Sequence, residues 1–144
     1  MPLSDSQRKS IALLILRAGL GLTMAIAHGW SKLTGGTAKW EKLGAAGVDW
    51  VGIEFGHVFF GGFASVAESI CALMVALGVF TRSAATCVAV TMFMAMMSHY
   101  MDGQAFRGGS HALELWIAFS AIAMLGPGRF SIDSLLAARK DQAR

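Results

Sequence analysis

Charged residues are scarce in this chain: they make up 15% of its 144 residues, whereas hydrophobic residues make up 55%. Soluble domains carry about 25% charged residues, so this balance points away from a soluble protein. The basic residues form no run longer than Arg139–Lys140 and do not cluster on one helix face, which argues against nucleic-acid binding. The sequence also has no internal repeat and no low-complexity segment.

Cysteine is rarer still, and the chain has only two, Cys71 and Cys87. They lie in separate apolar segments and form neither a CxxC motif nor the Cys/His spacing of a zinc site. Small buried apolar residues are the favoured interpretation for both. Dithiol chemistry would require the two side chains to meet in space, which the sequence alone does not show.

Long apolar segments are what the chain has in abundance. Four of them are close to the ~20 residues that cross a bilayer, and none has the polar stripe of a soluble helix. We therefore expect an all-α integral membrane four-helix bundle, a single domain over residues 1–144, with spans at about 11–31, 57–80, 83–101 and 111–126. Arg17 interrupts the first segment after six apolar residues, so we do not expect a cleaved signal peptide there.

The connections between the spans predict further features. Residues 37–55 combine Trp40, Leu43 and Val48 with charged and small residues, which is typical of a short helix on the outer membrane interface. The tight "TRSA" connection makes the second and third spans an antiparallel hairpin. "GPGR" ends the fourth span, and Ser131 is expected to cap a short helix within the C-terminal tail, residues 129–144.

Lysine and arginine in the flanks of the spans predict the orientation of the bundle. If both termini are inside, the inner side has more basic residues than the outer side: Arg8, Lys9, Arg82, Arg129, Arg139, Lys140 and Arg144 against Lys32, Lys39, Lys42 and Arg107. The expected topology is N-in/C-in in a bacterial cytoplasmic (inner) membrane.

Several ionisable residues lie inside the predicted spans. Inserting a charge there costs about 2.5–3.5 kcal/mol, so each of these residues is a candidate for a functional or structural role. With a rise of about 1.5 Å per residue, the glutamates lie roughly 18 Å and the histidines roughly 22–25 Å from the inner boundary. All four spans would then contribute to one polar layer, made of His28, Glu68, His99, His111 and Glu114.

This layer allows three interpretations. Histidine and glutamate exchange protons near neutral pH when burial shifts them, so the five residues are candidates for a quinone-headgroup or proton-handling site. The same residues are weaker candidates for a metal site, since imidazole and carboxylate are common ligands. Alternatively, the layer is a hydrogen-bonded plug that locks the bundle.

Arg17 is separated from this layer by its depth, roughly 9 Å from the inner boundary. Helical side chains lean toward their own N-terminus, so Arg17 leans inward while Glu68 leans outward. Attachment to inner headgroups or to a helix end is therefore favoured over an ion pair between them. We assign Arg17 and Lys32 to electrostatic support or anchoring.

Four stretches occur in an order that resembles the DoxX family of small four-helix membrane proteins. They are "LRAGLGLTMAIAHGWSKL", "WEKLGAAG", "GFASVAESICALMVALGVFTRSAA" and "GPGRFSID". The resemblance covers nearly the whole chain, although none of the stretches is a catalytic signature. It places Arg17, His28, Lys32, Glu68, Arg82 and Asp133 at the family's polar motif positions.

The resemblance also implies a range of functions. The family's name comes from membrane subunits of quinone-linked sulfur and oxygen respiration, and other members are linked to redox stress complexes. We therefore expect a small or accessory subunit of a quinone-linked membrane oxidoreductase, with quinone as the ligand, lipid as its surroundings, and other membrane subunits or a second copy as partners. A non-enzymatic structural subunit and a metal-binding membrane protein are the alternatives. The chain lacks the paired cysteines of vitamin K epoxide reductases, which argues against thiol redox chemistry.

Overall fold

The computed structural model describes residues 3–104 and 106–142, without the side chain of Asp141, and this part of the chain is all-helical. Four helices are long and apolar enough to cross a membrane: α1 (Asp5–Leu33), α3 (His57–Leu77), α4 (Thr81–Met101) and α5 (Phe106–Leu125). The shorter helix α2 (Gly36–Val48) and a 3₁₀ turn (Asp49–Val51) join α1 to α3. Helix α6 (Ile132–Gln142) follows α5.

The predicted all-α fold with four apolar helices is confirmed, and the protein is a multi-pass membrane protein. The N-in/C-in orientation and the interfacial position of α2 stay predictions. The end of the predicted tail, which includes Arg144, lies outside the described residues.

Helix α1 begins before the predicted span because polar residues continue it toward the N-terminus. Ser4 caps it: the Gln7 N–H donates to the Ser4 hydroxyl at 3.3 Å, and the Ser4 N–H donates to Gln7 Oε1 at 2.9 Å. This is a capping box, which satisfies backbone donors at a helix start. A span predicted from apolar residues alone leaves out this polar first turn of the helix.

Both α1 and α3 contain a π-helical segment, Met24–Gly29 in α1 and Ala67–Cys71 in α3. The two segments pack against each other. Their backbones approach so closely that a Cβ at Gly29 would overlap the Glu68 carbonyl. Since π segments are frequent at functional sites, this crossing is a natural place to look for one.

The hairpin between α3 and α4 is closed by the C-terminal segment. Asp133 accepts hydrogen bonds from the backbone N–H groups of Phe80 (2.9 Å) and Thr81 (3.0 Å), and its own N–H donates to the Gly78 carbonyl at 2.9 Å. The predicted Ser131 cap of α6 is confirmed, because its hydroxyl accepts from the Ser134 N–H at 3.1 Å. Helix α6 therefore holds the turn of the hairpin.

Helix α2 packs on the N-terminal half of α3 through glycine. A Cβ at Gly44 would overlap the backbone of His57, and a Cβ at Gly61 would overlap the backbone of Trp40. Glycine lets helix backbones approach this closely, as in membrane helix pairs with small residues at the interface. The 37–55 connection is therefore a packed part of the bundle.

The bundle core is formed by side chains from all four long helices, among them Met24, Val75, Val88 and Phe119. Large apolar side chains are also exposed along these helices, for example Ile26, Phe59, Ile70, Ile117 and Met124. Such an extensive apolar surface suits lipid rather than water around the bundle.

Candidate functional site

Glu68 is a buried carboxylate inside this apolar bundle, only 3% exposed. The Nζ atom of Lys32, in the last turn of α1, lies 2.5 Å from Glu68 Oε2. Removing the partner of a buried charge is strongly destabilising. The ion pair with Lys32 therefore stabilises the buried Glu68 carboxylate at the point where the π segments of α1 and α3 cross.

The backbone of Lys32 is held by helix α2. The indole N–H of Trp40 donates to the Lys32 carbonyl at 2.9 Å, and the Lys39 ammonium donates to the Ser31 carbonyl at 2.8 Å. Carbonyls in the last turn of a helix have no partner within that helix, so they need such donors. Trp40 therefore links the position of α2 to the position of the Lys32–Glu68 pair.

A cavity of about 580 Å³ opens next to this ion pair. Its walls are the N-terminal half of α3 and the C-terminal half of α4, and α2 with the following turn covers it. Most of the lining is apolar, and its polar side chains are those of Lys32, Glu68, Thr91, Ser98 and His99. The lining residues are Lys32, Leu43, Gly44, Ala46, Gly47, Val48, Ile53, Phe59, Phe60, Phe63, Ala64, Glu68, Val90, Thr91, Met94, Ala95, Ser98 and His99.

The cavity reaches the apolar surface of the bundle between α3 and α4. Three of its lining residues, Phe59, Phe63 and Val90, are 72%, 46% and 51% exposed. They belong to the surface that faces lipid tails if the four helices span the membrane. In that arrangement the cavity opens toward lipid tails.

His99 is the histidine that lines this cavity. Its Nδ1 atom lies 3.0 Å from Gln104 Oε1, just beyond the end of α4. His99, Lys32 and Glu68 together place an imidazole, an ammonium and a carboxylate on one cavity.

The other predicted members of the polar layer lie elsewhere. The rings of His28 and His111 pack together, with centroids 5.3 Å apart and planes tilted by 39°, and they join α1 to α5. Neither lines the cavity. His111 and Glu114 are exposed on α5. The five residues therefore do not all line one cavity, because similar depth along the helices does not fix which way each side chain faces.

The arrangement also bears on the metal interpretation. Within residues 3–104 and 106–142, no group of three or more His, Cys, Asp or Glu side chains is placed to hold a metal ion. Two carboxylates and three histidines were predicted at similar depth, but they are divided between the cavity, the His28–His111 contact and the α5 surface.

Arg17 lies about four turns before Lys32, near the middle of α1, and is only 1% exposed. Its guanidinium donates to the carbonyls of Val75 (3.3 Å) and Ala76 (2.9 Å) in the last turn of α3, and also to the carbonyl of Phe130. A cation at a helix C-terminus is favoured by the helix dipole. Arg17 therefore joins α1, α3 and the C-terminal segment, and it does not contact Glu68.

Sequence reasoning missed Lys32 as the partner of Glu68. Lys32 had been counted among the basic residues that flank the first span. A signal was present, because Lys32 follows His28 by four residues and so lies on the same face of α1. The role of Trp40 had no sequence signal beyond its place in the connection.

Comparisons with known proteins give one finding. No curated protein and no solved structure matches the chain significantly. A family model described as DoxX matches residues 12–101, which is more than half of the chain and includes Lys32, Glu68 and His99. This protein therefore belongs to the DoxX family.

Proposed function

We propose that this DoxX protein binds a membrane quinone and serves as a small or accessory subunit of a quinone-linked oxidoreductase. The observation that carries the proposal is the cavity between α2, α3 and α4. It combines apolar walls, an opening among exposed apolar side chains, and a lining that includes both the Lys32–Glu68 pair and His99.

The size and lining of the cavity suit an amphipathic ligand. Small-molecule sites commonly have volumes of about 300–1,000 Å³ and mostly apolar walls with a few polar groups. A volume of about 580 Å³ accommodates a quinone ring and the first part of its tail. The rest of the tail would leave past Phe59 and Phe63 into the bilayer.

The polar groups match the chemistry of the head. Quinone carbonyl oxygens accept hydrogen bonds, and the Lys32 ammonium is a donor with three N–H bonds. Reduction of a quinone to a quinol takes up two electrons and two protons. Glu68 and His99 are side chains of the types that transfer protons, while the electrons would come from a partner subunit or another redox group.

Photoaffinity labelling with an azido-quinone tests the binding site. We expect Glu68→Gln and Lys32→Met each to reduce labelling of the purified protein at least ten-fold, because each leaves one charge of the pair unpartnered. The matched control is Glu114→Gln, which neutralises an exposed carboxylate on α5, outside the cavity. Mapping of the label to α3 or α4 would support the proposal.

Other results would contradict it. Equal labelling of Glu68→Gln, Glu114→Gln and the parent protein would remove the cavity as the quinone site. Thermal unfolding of each variant in detergent separates loss of binding from loss of fold. Lys32→Met/Glu68→Met removes both charges without leaving an unpartnered one, and it should stay folded while it fails to bind.

A structural role in a larger membrane assembly is the second candidate, and one observation favours it. His111 and Glu114 are exposed within α5, and a charge facing lipid costs about 2.5–3.5 kcal/mol at the centre of a span. A second copy or another membrane subunit would relieve this cost. If native mass spectrometry of protein extracted in lipid nanodiscs finds only the monomer, this role is excluded.

The membrane and the orientation are part of the same proposal. We place the protein in the bacterial cytoplasmic membrane with both termini in the cytoplasm, where Lys and Arg accumulate. The cavity would then lie in the outer half of the bilayer. Cysteines introduced at exposed Ser6 and Gly52 should react with an impermeant maleimide from opposite sides of the membrane.

A further inference from the structure

A second groove lies on the surface of the bundle, between α4 and α5. It has a volume of about 410 Å³ and adjoins the first cavity at Val90, which lines both. Every residue of its lining is uncharged, and most are apolar, so the groove suits a hydrocarbon chain. The lining residues are Thr86, Ala89, Val90, Phe93, Trp116, Ser120, Ala123 and Met124.

The groove runs along the two helices for about the depth of one lipid leaflet. At one end the rings of Phe93 and Trp116 pack together, with centroids 5.7 Å apart. Beyond the other end lies Arg82, which precedes Thr86 by four residues and is therefore on the same face of α4. Arg82 and Phe93 are separated by roughly 16 Å along the helix. Half of the hydrocarbon core of a bilayer is about 15 Å, so one acyl chain matches this length.

The guanidinium of Arg82 extends from α4 to the end of α5. A Cβ at Gly126 would lie 2.9 Å from Arg82 Nε and 3.3 Å from Arg82 Nη2. Gly126 comes directly after α5, which ends at Leu125, and Met124 lines the groove. The positive charge therefore lies at the end of the groove that is closest to the membrane surface.

The surroundings of Arg82 suit a phosphate group. The side chain is exposed, and it forms no ion pair with any side chain in the described part of the chain. A guanidinium binds phosphate through two parallel N–H bonds, which makes arginine a preferred phosphate ligand. Because Arg82 stands in the first turn of a membrane-spanning helix, the phosphates at its level are those of lipid headgroups.

We propose that the groove between α4 and α5 binds one anionic glycerophospholipid. Its phosphate contacts Arg82, and one of its acyl chains lies in the groove as far as the Phe93–Trp116 pair. A zwitterionic headgroup carries its own cation beside the phosphate, which repels the guanidinium, so the site selects lipids with a net negative charge. The site forms whether or not the first cavity holds a quinone.

Native mass spectrometry of the delipidated full-length protein in detergent tests the charge of the ligand. Phosphatidylglycerol or phosphatidylcholine with the same acyl chains is added, and the first bound lipid is measured. We expect phosphatidylglycerol to bind about ten-fold more tightly, and Arg82→Gln to remove this difference. The matched control is Arg107→Gln, which removes an exposed arginine at the other end of α5 and should bind both lipids as the parent protein does.

A second pair of variants tests the position of the acyl chain. Ser120→Phe fills the middle of the groove and should weaken phosphatidylglycerol binding about ten-fold. Ile117→Phe adds the same ring to α5 at an exposed position outside the groove and should leave binding unchanged. Thermal unfolding in detergent shows whether each variant is folded. Thr86→Phe, at an exposed position on the α4 side of the groove, replaces Ser120→Phe if that variant does not fold.

Three results would overturn the proposal. The first is equal affinity of the parent protein for the two lipids. The second is an equal loss of phosphatidylglycerol binding in Arg82→Gln and Arg107→Gln. The third is unchanged phosphatidylglycerol binding in the folded groove variant, because the acyl chain would then lie outside the groove.

Discussion

Asp133 is expected to stabilise the protein in a way that depends on pH. Its carboxylate accepts hydrogen bonds from the backbone N–H groups of Phe80 (2.9 Å) and Thr81 (3.0 Å) and from the Thr81 hydroxyl (2.9 Å). These donors form the N-terminus of α4, where Phe80 has the left-handed φ of 44° that a residue with a side chain seldom adopts. The carboxylate thus holds a strained turn closed.

The magnitude follows from these contacts. Loss of an N-terminal cap costs about 1 kcal/mol, up to about 2 in proteins, and the charge adds about 0.3–1 kcal/mol at a helix N-terminus. Asp133→Asn keeps one side-chain oxygen as acceptor and should lower the free energy of unfolding by about 1 kcal/mol at pH 7. Asp133→Ala, which loses all three hydrogen bonds, should lower it by about 2–3 kcal/mol.

The pH dependence follows from the pKa of Asp133. Burial raises this pKa. The hydrogen bonds from Thr81 and Phe80 and the charge of Arg17 together lower it by a larger amount, so the pKa in the folded protein lies below the ordinary value. A carboxylate with a depressed pKa adds stability that is present above its unfolded-state pKa, about 3.9. That stability is lost as the pH falls through the folded-state pKa.

Thermal unfolding followed by circular dichroism in detergent measures the effect. The difference between the parent protein and Asp133→Asn should be present at pH 7 and should shrink as the pH is lowered below 4. Asp102→Asn is the control, since it neutralises an exposed carboxylate at the other end of α4. A difference of the same size at pH 7 and at pH 3 would refute the electrostatic reasoning, and so would an Asn variant as stable as the parent at pH 7.

Two further predictions concern packing. Gly61→Ala should destabilise the protein by about 1–3 kcal/mol and weaken quinone labelling, because its Cβ would overlap the backbone of Trp40. Gly19→Ala is the control and should have neither effect, because the space around its Cβ is open. Arg17→Met should lower the midpoint of thermal unfolding far more than Arg82→Met, because it removes the donors to three carbonyls while Arg82 is exposed. Equal midpoints for the two arginine variants would contradict the role assigned to Arg17.

Features that depend on local sequence could be predicted well. The Ser131 cap of α6 and the tight hairpin between α3 and α4 were both recognised from a few neighbouring residues. The polar site was harder, because Glu68 was recognised as a candidate while its partner was not. The prediction used depth, which sequence position fixes through the helical rise, and depth alone grouped Glu114 with Glu68.

The sequence by itself determined that the chain forms four apolar helices with a short helix between the first two, because hydropathy and turn chemistry act over neighbouring residues. Tertiary structure decided which residues meet: Lys32 with Glu68, His28 with His111, and Arg17 with the end of α3. The physical reason is rotation about the helix axis. Each residue turns a helix by about 100°, so the π segments in α1 and α3 redirect every side chain that follows, and no 3.6-residue pattern records that change.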